Sequence, residues 1–409
     1  MKRLLQVFLG ILTAIGGFVD IGDLVANAVV GARFGLNLAW VVLVGVVGIC
    51  LFADMSGRVA AVTGRGTFDL VRERLGPRAG LANLVASLLV TFLTLAAEVG
   101  GVALALELLS SVSYLLLAPV VAFLVWFVIW RMPFETMERL FGLAGLALLV
   151  FGVALWQLGP DWGQLAHQVS HPQLPHGEGL PTYLFYAISL FGAAMTPYEV
   201  FFFSSGAVEE GWSTKDLRTE RINVYVGFPL GGVLSLAIAA CAALVLLPQG
   251  IDVAHLDQVA LPVVVATGKV GLAFVILGFV AATFGAALET ALSVGYTLAQ
   301  YLGWQWGKRV APREAARFHT VVLVAVILGT MLILTTADPI KVTEYSLVFS
   351  AVALPLTYLP ILVVANDPDY MGSRVNGRVV NALASGYLVL IVVVAVAAIP
   401  LMVATGAGA

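Results

Sequence analysis

What most constrains this chain is a repeated element: run after run of predominantly apolar residues separated by short polar connections. Each run approaches or exceeds the roughly 20 residues an α-helix needs to cross a bilayer. We read eleven spans, at 6–30, 38–57, 81–109, 115–130, 138–158, 180–206, 222–247, 262–302, 318–337, 342–365 and 378–404. Segments of this length and composition must pair their own backbone groups inside lipid, which predicts helices throughout. Charged residues make up 11% of the 409, against roughly 25% in soluble domains. The reading is an all-α integral membrane protein forming one transmembrane domain over 1–409. The run 262–302 is too long for one straight span, so it either projects beyond the bilayer or begins with a short interfacial helix.

Basic residues near span ends stay cytoplasmic. With the N-terminus in the cytoplasm, 18 of the 21 Lys and Arg residues fall on that side, leaving only Arg33, Lys269 and Lys341. This split sets the expected orientation, with the C-terminus outside. The first residues, "MKRLLQVFLGILTAIGG", resemble a secretory leader. Their apolar run continues without a small-x-small cleavage site, which favours an uncleaved first span. Cys50 and Cys241 lie in apolar runs and read as small buried hydrophobes. The loop 159–179 carries His167, His171 and His176, and reads as an ordinary wet loop with metal collection as the sharper alternative. No basic block is longer than a short loop, so nucleic acid is not an expected partner. No soluble domain or nucleophile–base arrangement suggests an enzyme.

Ionisable residues inside spans are costly and mark function by default. The chain places Asp20 and Asp23 in span 1, Asp54 in span 2, Glu98 in span 3, Glu199 in span 6 and Glu289 in span 8, with no matching bases inside the spans. Unmatched buried carboxylates take up protons or bind a cation. Asp54, four residues before Arg58, reads instead as half of a surface ion pair. Glu289 is balanced between function and a protonated packing role. Two spans also carry breaks. Span 1 has Gly22 between its two acids, and span 6 has Pro197 after Gly192, Ala193 and Ala194. A proline removes a backbone donor, and such breaks persist in membranes where freed backbone lines a cavity. Breaks at corresponding places five spans apart point to an inverted-repeat transporter with a midplane site. The repeats would be about 6–158 and 180–365, with 378–404 as an added helix.

At these residues the sequence resembles the Nramp family of divalent-metal transporters. The carriers of the resemblance are Asp20-Ile21-Gly22-Asp23 followed by "GARFG" at 31–35, and Ala193-Ala194-Met195-Thr196-Pro197-Tyr198 in span 6. "VTGRG" at 62–66, "AEVGG" at 97–101 and "YMGSRVNGRVVNALA" at 370–384 support it. The resemblance implies a LeuT-like fold with helices 1 and 6 broken at the midplane. It also implies a site made by Asp20, Asp23, Thr196 and the carbonyl of Ala193. In that family the second and third of these are an amide and a thioether. Here they are a carboxylate and a hydroxyl, and Met195 stands one residue out of register. Thioethers favour soft metals, whereas carboxylate, carbonyl and water suit Mg²⁺, Ca²⁺ and Mn²⁺. The resemblance is therefore closest to the magnesium-transporting branch, with Mn²⁺ also accepted. The family's proton-linked positions read Leu95, Tyr198 and Phe203 here, which implies weak or absent proton coupling. Glu98, Glu199, Tyr198 and Glu289 remain as possible pathway or proton-linked groups. No cofactor is implied; the metal is cargo. The expected protein is a monomer in a bacterial inner membrane. A proton-coupled Mn²⁺ or Fe²⁺ symporter, an organic-cation or amino-acid transporter of the same fold, and a cation channel remain open as alternatives.

Overall fold

The computed structural model describes residues 11, 15, 18–175, 177–335 and 338–408. Sixteen α-helices are traced through them. The first eight are α1 Ile21–Phe34, α2 Ala39–Thr63, α3 Thr67–Ser110, α4 Tyr114–Arg131, α5 Phe134–Gly145, α6 Val150–Gln157, α7 Trp162–Ser170 and α8 Leu180–Ala194. They are followed by α9 Pro197–Glu209, α10 Leu217–Ile222, α11 Phe228–Val245, α12 Leu256–Leu302, α13 Ala316–Leu334, α14 Pro339–Ala365, α15 Pro368–Met371 and α16 Arg378–Ala404. A 3₁₀ turn joins α5 to α6, and a single π turn joins α10 to α11. Among the described residues, ten helices or helix pairs are long and apolar enough to cross a membrane. They correspond to the second to eleventh predicted spans. The first predicted span begins in residues that are mostly outside the described set, and its described part runs on to Phe34.

Two long elements are turned by the same device, one against the sequence reading and one in line with it. The helix of the third span starts at Thr67, well before 81, and changes direction at Gly76 (φ 81°) just before Pro77. A left-handed glycine followed by a residue lacking N–H turns the chain without ending the helical run. The eighth span does begin with a short helix: α12 turns at Gly268 (φ 67°) after residues 256–267. Its remainder, at 1.5 Å per residue, is about 50 Å long and also projects past a hydrocarbon core of about 30 Å.

Packing is close where side chains are small. A Cβ on Gly31 of α1 would lie 2.2 Å from the Ala239 carbonyl oxygen of α11, and one on Gly45 of α2 would lie 2.4 Å from Ala194 Cβ. Small residues that let helix backbones touch are the usual means of packing in lipid. The outward faces of α4 and α16 carry exposed Leu116, Phe123, Val379, Val389, Val396 and Val403, as lipid-facing surfaces do.

The surface ion pair expected at Asp54 is instead buried. Asp54 lies 3.5 Å from both Arg58 and Arg221, and Arg58 also donates to the Arg374 carbonyl (2.7 Å) and to Asn376. The chain entering α16 covers the pair and removes it from water. Both cysteines are buried and free. The 159–179 loop contains α7, capped by Asp161, with the His167 and His171 rings stacked at 4.6 Å. His176 lies outside the described residues.

Candidate cation site

The first break falls at Val19 and Asp20, not at Gly22 as the sequence suggests. Asp20 is extended (φ −92°, ψ −177°) and its Oδ1 accepts from Asp23 N at 2.8 Å, which restarts the helix as an N-cap. Gly22 is the second residue of α1. Its missing side chain admits Leu347 of α14, whose Cδ2 would lie 2.8 Å from a Cβ. The second break is where expected. Met195 (φ −120°, ψ 55°) and Thr196 (φ −62°, ψ 122°) leave the helix, and Pro197 opens α9 at the position where its missing N–H costs nothing.

The two breaks are joined by a direct bond: Tyr198 OH, in the first turn of α9, donates to Asp20 Oδ2 at 3.3 Å. Asp20 and Asp23 are each only 1% exposed. Asp23 Oδ1 accepts from the Asn27 amide at 2.8 Å, and Asp23 Oδ2 accepts from the Ser235 hydroxyl of α11. A carboxylate offers about four lone-pair sites, and each of these two spends two on such donors, so both retain capacity for a cation. The Thr196 hydroxyl donates to the Ala193 carbonyl at 2.8 Å, which brings two of the predicted oxygens together at the second break. Helix α8 ends here, and the last carbonyls of a helix carry its negative dipole end. The sulfur of Met195 lies where Gly48 of α2 leaves room, 2.6 Å from the place of a Cβ.

Glu98 and Glu199 take separate positions. Glu98 Oε1 accepts from Ile21 N at 3.1 Å, an added cap on α1, while its Oε2 is buried without a partner. Glu199 is buried, and its carboxyl meets only that of Glu289 in α12. Asn27 and Ser235 are the contributors that sequence reasoning missed. Asn27 had a signal, one helical turn beyond Asp23 on the same face; its own Oδ1 is buried and unpartnered. Ser235 is a lone hydroxyl in an apolar run and had none. Among the described residues no three His, Cys, Asp or Glu side chains converge to hold a metal.

Above the site, a polar vestibule of about 560 Å³ is lined by Arg33, Glu178, Asp252 and Glu344 among others. It shares Val29, Tyr186 and Glu344 with a neck of about 20 Å³ that reaches Val25, Phe185 and Leu347. Arg33 spans the vestibule wall, pairing with Glu178 and bonding the Gly408 carbonyl at 2.7 Å.

A helical membrane protein whose two interrupted helices meet at buried carboxylates is a secondary transporter of the broken-helix class. The match to the family described as natural resistance-associated macrophage protein-like runs over residues 10–400, and the chain belongs to that family, Nramp. It is 27% identical over 391 residues to the divalent metal cation transporter MntH of Pectobacterium carotovorum subsp. carotovorum, covering 92% of this chain and 89% of that one. The MntH of Acidiphilium cryptum is 24% identical over 384 residues, with 91% and 86% covered. Among solved structures, the Eremococcus coleocola manganese transporter matches with a TM-score of 0.71 at 18% identity, covering 96% of this chain and 85% of that one. Mhp1, a nucleobase-cation-symport-1 transporter, matches at 0.61 with 14% identity, covering 97% and 91%. These two likenesses establish the LeuT-like fold. Proteins of the family are transporters and not enzymes; they carry no cofactor, and the divalent metal is their transported substrate.

Proposed function

We propose that this chain imports divalent metal cations by alternating access. Mg²⁺ or Mn²⁺ is held by Asp20, Asp23, Thr196 and the Ala193 carbonyl, with weak or absent proton coupling. The observation that carries this reading is the Asp20 carboxylate. It caps one broken helix and accepts from Tyr198 at the start of the other, so a charge bound there touches both moving halves. The position of Met195 against Gly48 supports an all-oxygen site, which suits hard cations. The buried Oδ1 of Asn27 offers one more oxygen beside Asp23.

The packing pattern favours two inverted repeats, about 6–158 and 180–365, with 378–404 added. Helix α1 packs on α11 as α9 packs on α2, and α3 packs on α14 as α12 packs on α5. We read the protein as a monomer in a bacterial inner membrane, N-terminus cytoplasmic and C-terminus outside. An inside-negative potential then drives a divalent ion inward by roughly 4.6 kcal/mol per 100 mV, twice the single-charge value. Leu95 and Phe203 are apolar and buried, which leaves Glu98, Glu199, Tyr198 and Glu289 as the remaining groups for a metal pathway or a proton. The second reading, a proton-coupled Mn²⁺ symporter, draws on the relatives named MntH and on the manganese transporter's fold.

Proteoliposomes loaded with a pH dye and a metal indicator test both. Asp20→Ala is expected to abolish Mg²⁺ and Mn²⁺ uptake, and full retained uptake would remove the site assignment. Wild-type uptake without lumenal acidification supports the uncoupled reading; acidification in step with metal entry selects the symporter.

A further inference from the structure

A second cluster of acids lies beyond the cation site, between α9, α12 and α5. Glu199, three residues past Thr196, faces Glu289 of α12. The oxygens of Glu199 and Oε2 of Glu289 are buried and meet no hydrogen-bonding group other than each other. On the far side of Glu289 a cavity of about 40 Å³ opens between α5, α9 and α12, walled by Phe134, Met137, Phe141 and Phe202, with Glu138 as its other acid. Glu138 in turn meets Glu210 at the end of α9, next to the Arg131 and Arg139 end of the span. Burial raises the Glu210 carboxyl above its ordinary value, and the Glu138 and Trp212 contacts oppose the rise. Among the described residues, the other titratable groups that act electrostatically on the pair are Glu138, Asp20, Glu98, Tyr198 and Tyr358, and none of them is basic.

Two facing carboxylates in apolar surroundings, with no cation beside them among the described residues, share a proton because both cannot be charged together. The cavity is large enough for water but too poor in oxygen for a divalent ion, which takes six or more such ligands. We propose that Glu199 and Glu289 form a proton-binding pair, separate from the cation site, which exchanges protons with water through the Glu138 cavity and Glu210. No bond other than O–H is made or broken. The proton passes from water to Glu210 or Glu138 and then to the pair, and returns the same way. Because Glu199 sits in the first turn of the half-helix that begins at Thr196, the proton sets how that half-helix packs on α12. Acidity on one face thereby tunes transport without driving it.

Infrared difference spectra of the full chain in liposomes test this without any metal. With chelator present and the pH stepped, a protonated-carboxyl C=O band is expected. Glu289→Gln and Glu199→Gln should each remove it, Glu289→Asp should keep it, and Glu138→Gln should slow its exchange in D₂O. In metal-uptake assays, wild-type rates should vary with pH on the Glu138 face only, and Glu289→Gln should flatten that dependence. No titrating band in wild type, a band surviving both glutamine variants, or an unchanged pH profile in Glu289→Gln would each overturn the proposal. The spectra read the pair even if the chain carries a different cargo.

Discussion

At the scale of single residues, the site is decided by what Asp23 touches. Its two oxygens accept from Asn27 and Ser235, donors that orient the carboxylate while leaving its charge uncancelled. Asp23→Asn preserves the shape and removes one charge. It is expected to weaken Mg²⁺ about tenfold, or about 1.4 kcal/mol, while Mn²⁺ loses less because it tolerates nitrogen and neutral oxygen donors better. Competition of Mg²⁺ against Mn²⁺ uptake checks this, and an unchanged ratio would exclude Asp23 from the cargo's coordination. Asp20, Asp23 and the break at Pro197 stood out because charge or irregular backbone inside an apolar run is expensive; Thr196 came from the family resemblance alone. Asn27, one turn beyond Asp23, was legible but passed over, and Ser235 was not legible, because a neutral hydroxyl costs little in a helix and its partner lies 212 residues away.

At the scale of elements, helix number and most ends were legible from hydrophobic runs, since length in a bilayer is nearly a fixed quantity. The position of the first break was not. Gly22 invited a break, yet the Asp20 side chain captures the Asp23 N–H and starts the helix two residues earlier. The buried state of Asp54 and Arg58 was equally hidden, because the cover comes from residues 374–376. Close helix contacts carry the next expectation. Gly31→Val places carbon where the Ala239 carbonyl already sits, an overpacking cost of about 1–3 kcal/mol or more, and should lower the melting temperature in fluorescence-detected size exclusion. A wild-type Tm would show that α1 and α11 are free to separate. The connection after α12 is tied to α9 by Glu209, which accepts from the backbone of Lys308 and Arg309 and from Tyr296 OH at 3.0 Å. Burial lowers the Lys308 ammonium to about 8, with Glu209 opposing. The folded chain therefore binds fewer protons than the unfolded one between that value and 10.5, so stability rises with pH across this window. Below it both states are protonated and the dependence vanishes. Lys308→Met should abolish the alkaline gain in melting scans, whereas an identical slope in the variant would assign the gain to another group.

At the scale of the whole molecule, two breaks five spans apart pointed to an inverted-repeat transporter and the family resemblance to the LeuT-like arrangement, while the side-chain bond that joins the breaks was not legible, because Tyr198 and Asp20 are 178 residues apart. The narrowing of the polar vestibule, from about 560 Å³ to a neck of about 20 Å³ at Val25, Phe185 and Leu347, has a kinetic meaning. On the proposed reading that cargo enters past this neck, a fully hydrated ion fits the first volume and not the second, and ligand exchange begins at the neck. Mg²⁺ gives up its water reluctantly. Saturated turnover should then be slower for Mg²⁺ than for Mn²⁺ even where Mg²⁺ is bound as well, and Leu347→Ala, which widens the neck, should narrow that gap in stopped-flow uptake. Equal turnover for the two ions in the wild type would mean the wall opens first and the ion arrives clothed. The protein's preference among cations would in that first case be set twice, once by the oxygens that receive the ion and once by the rate at which it can undress.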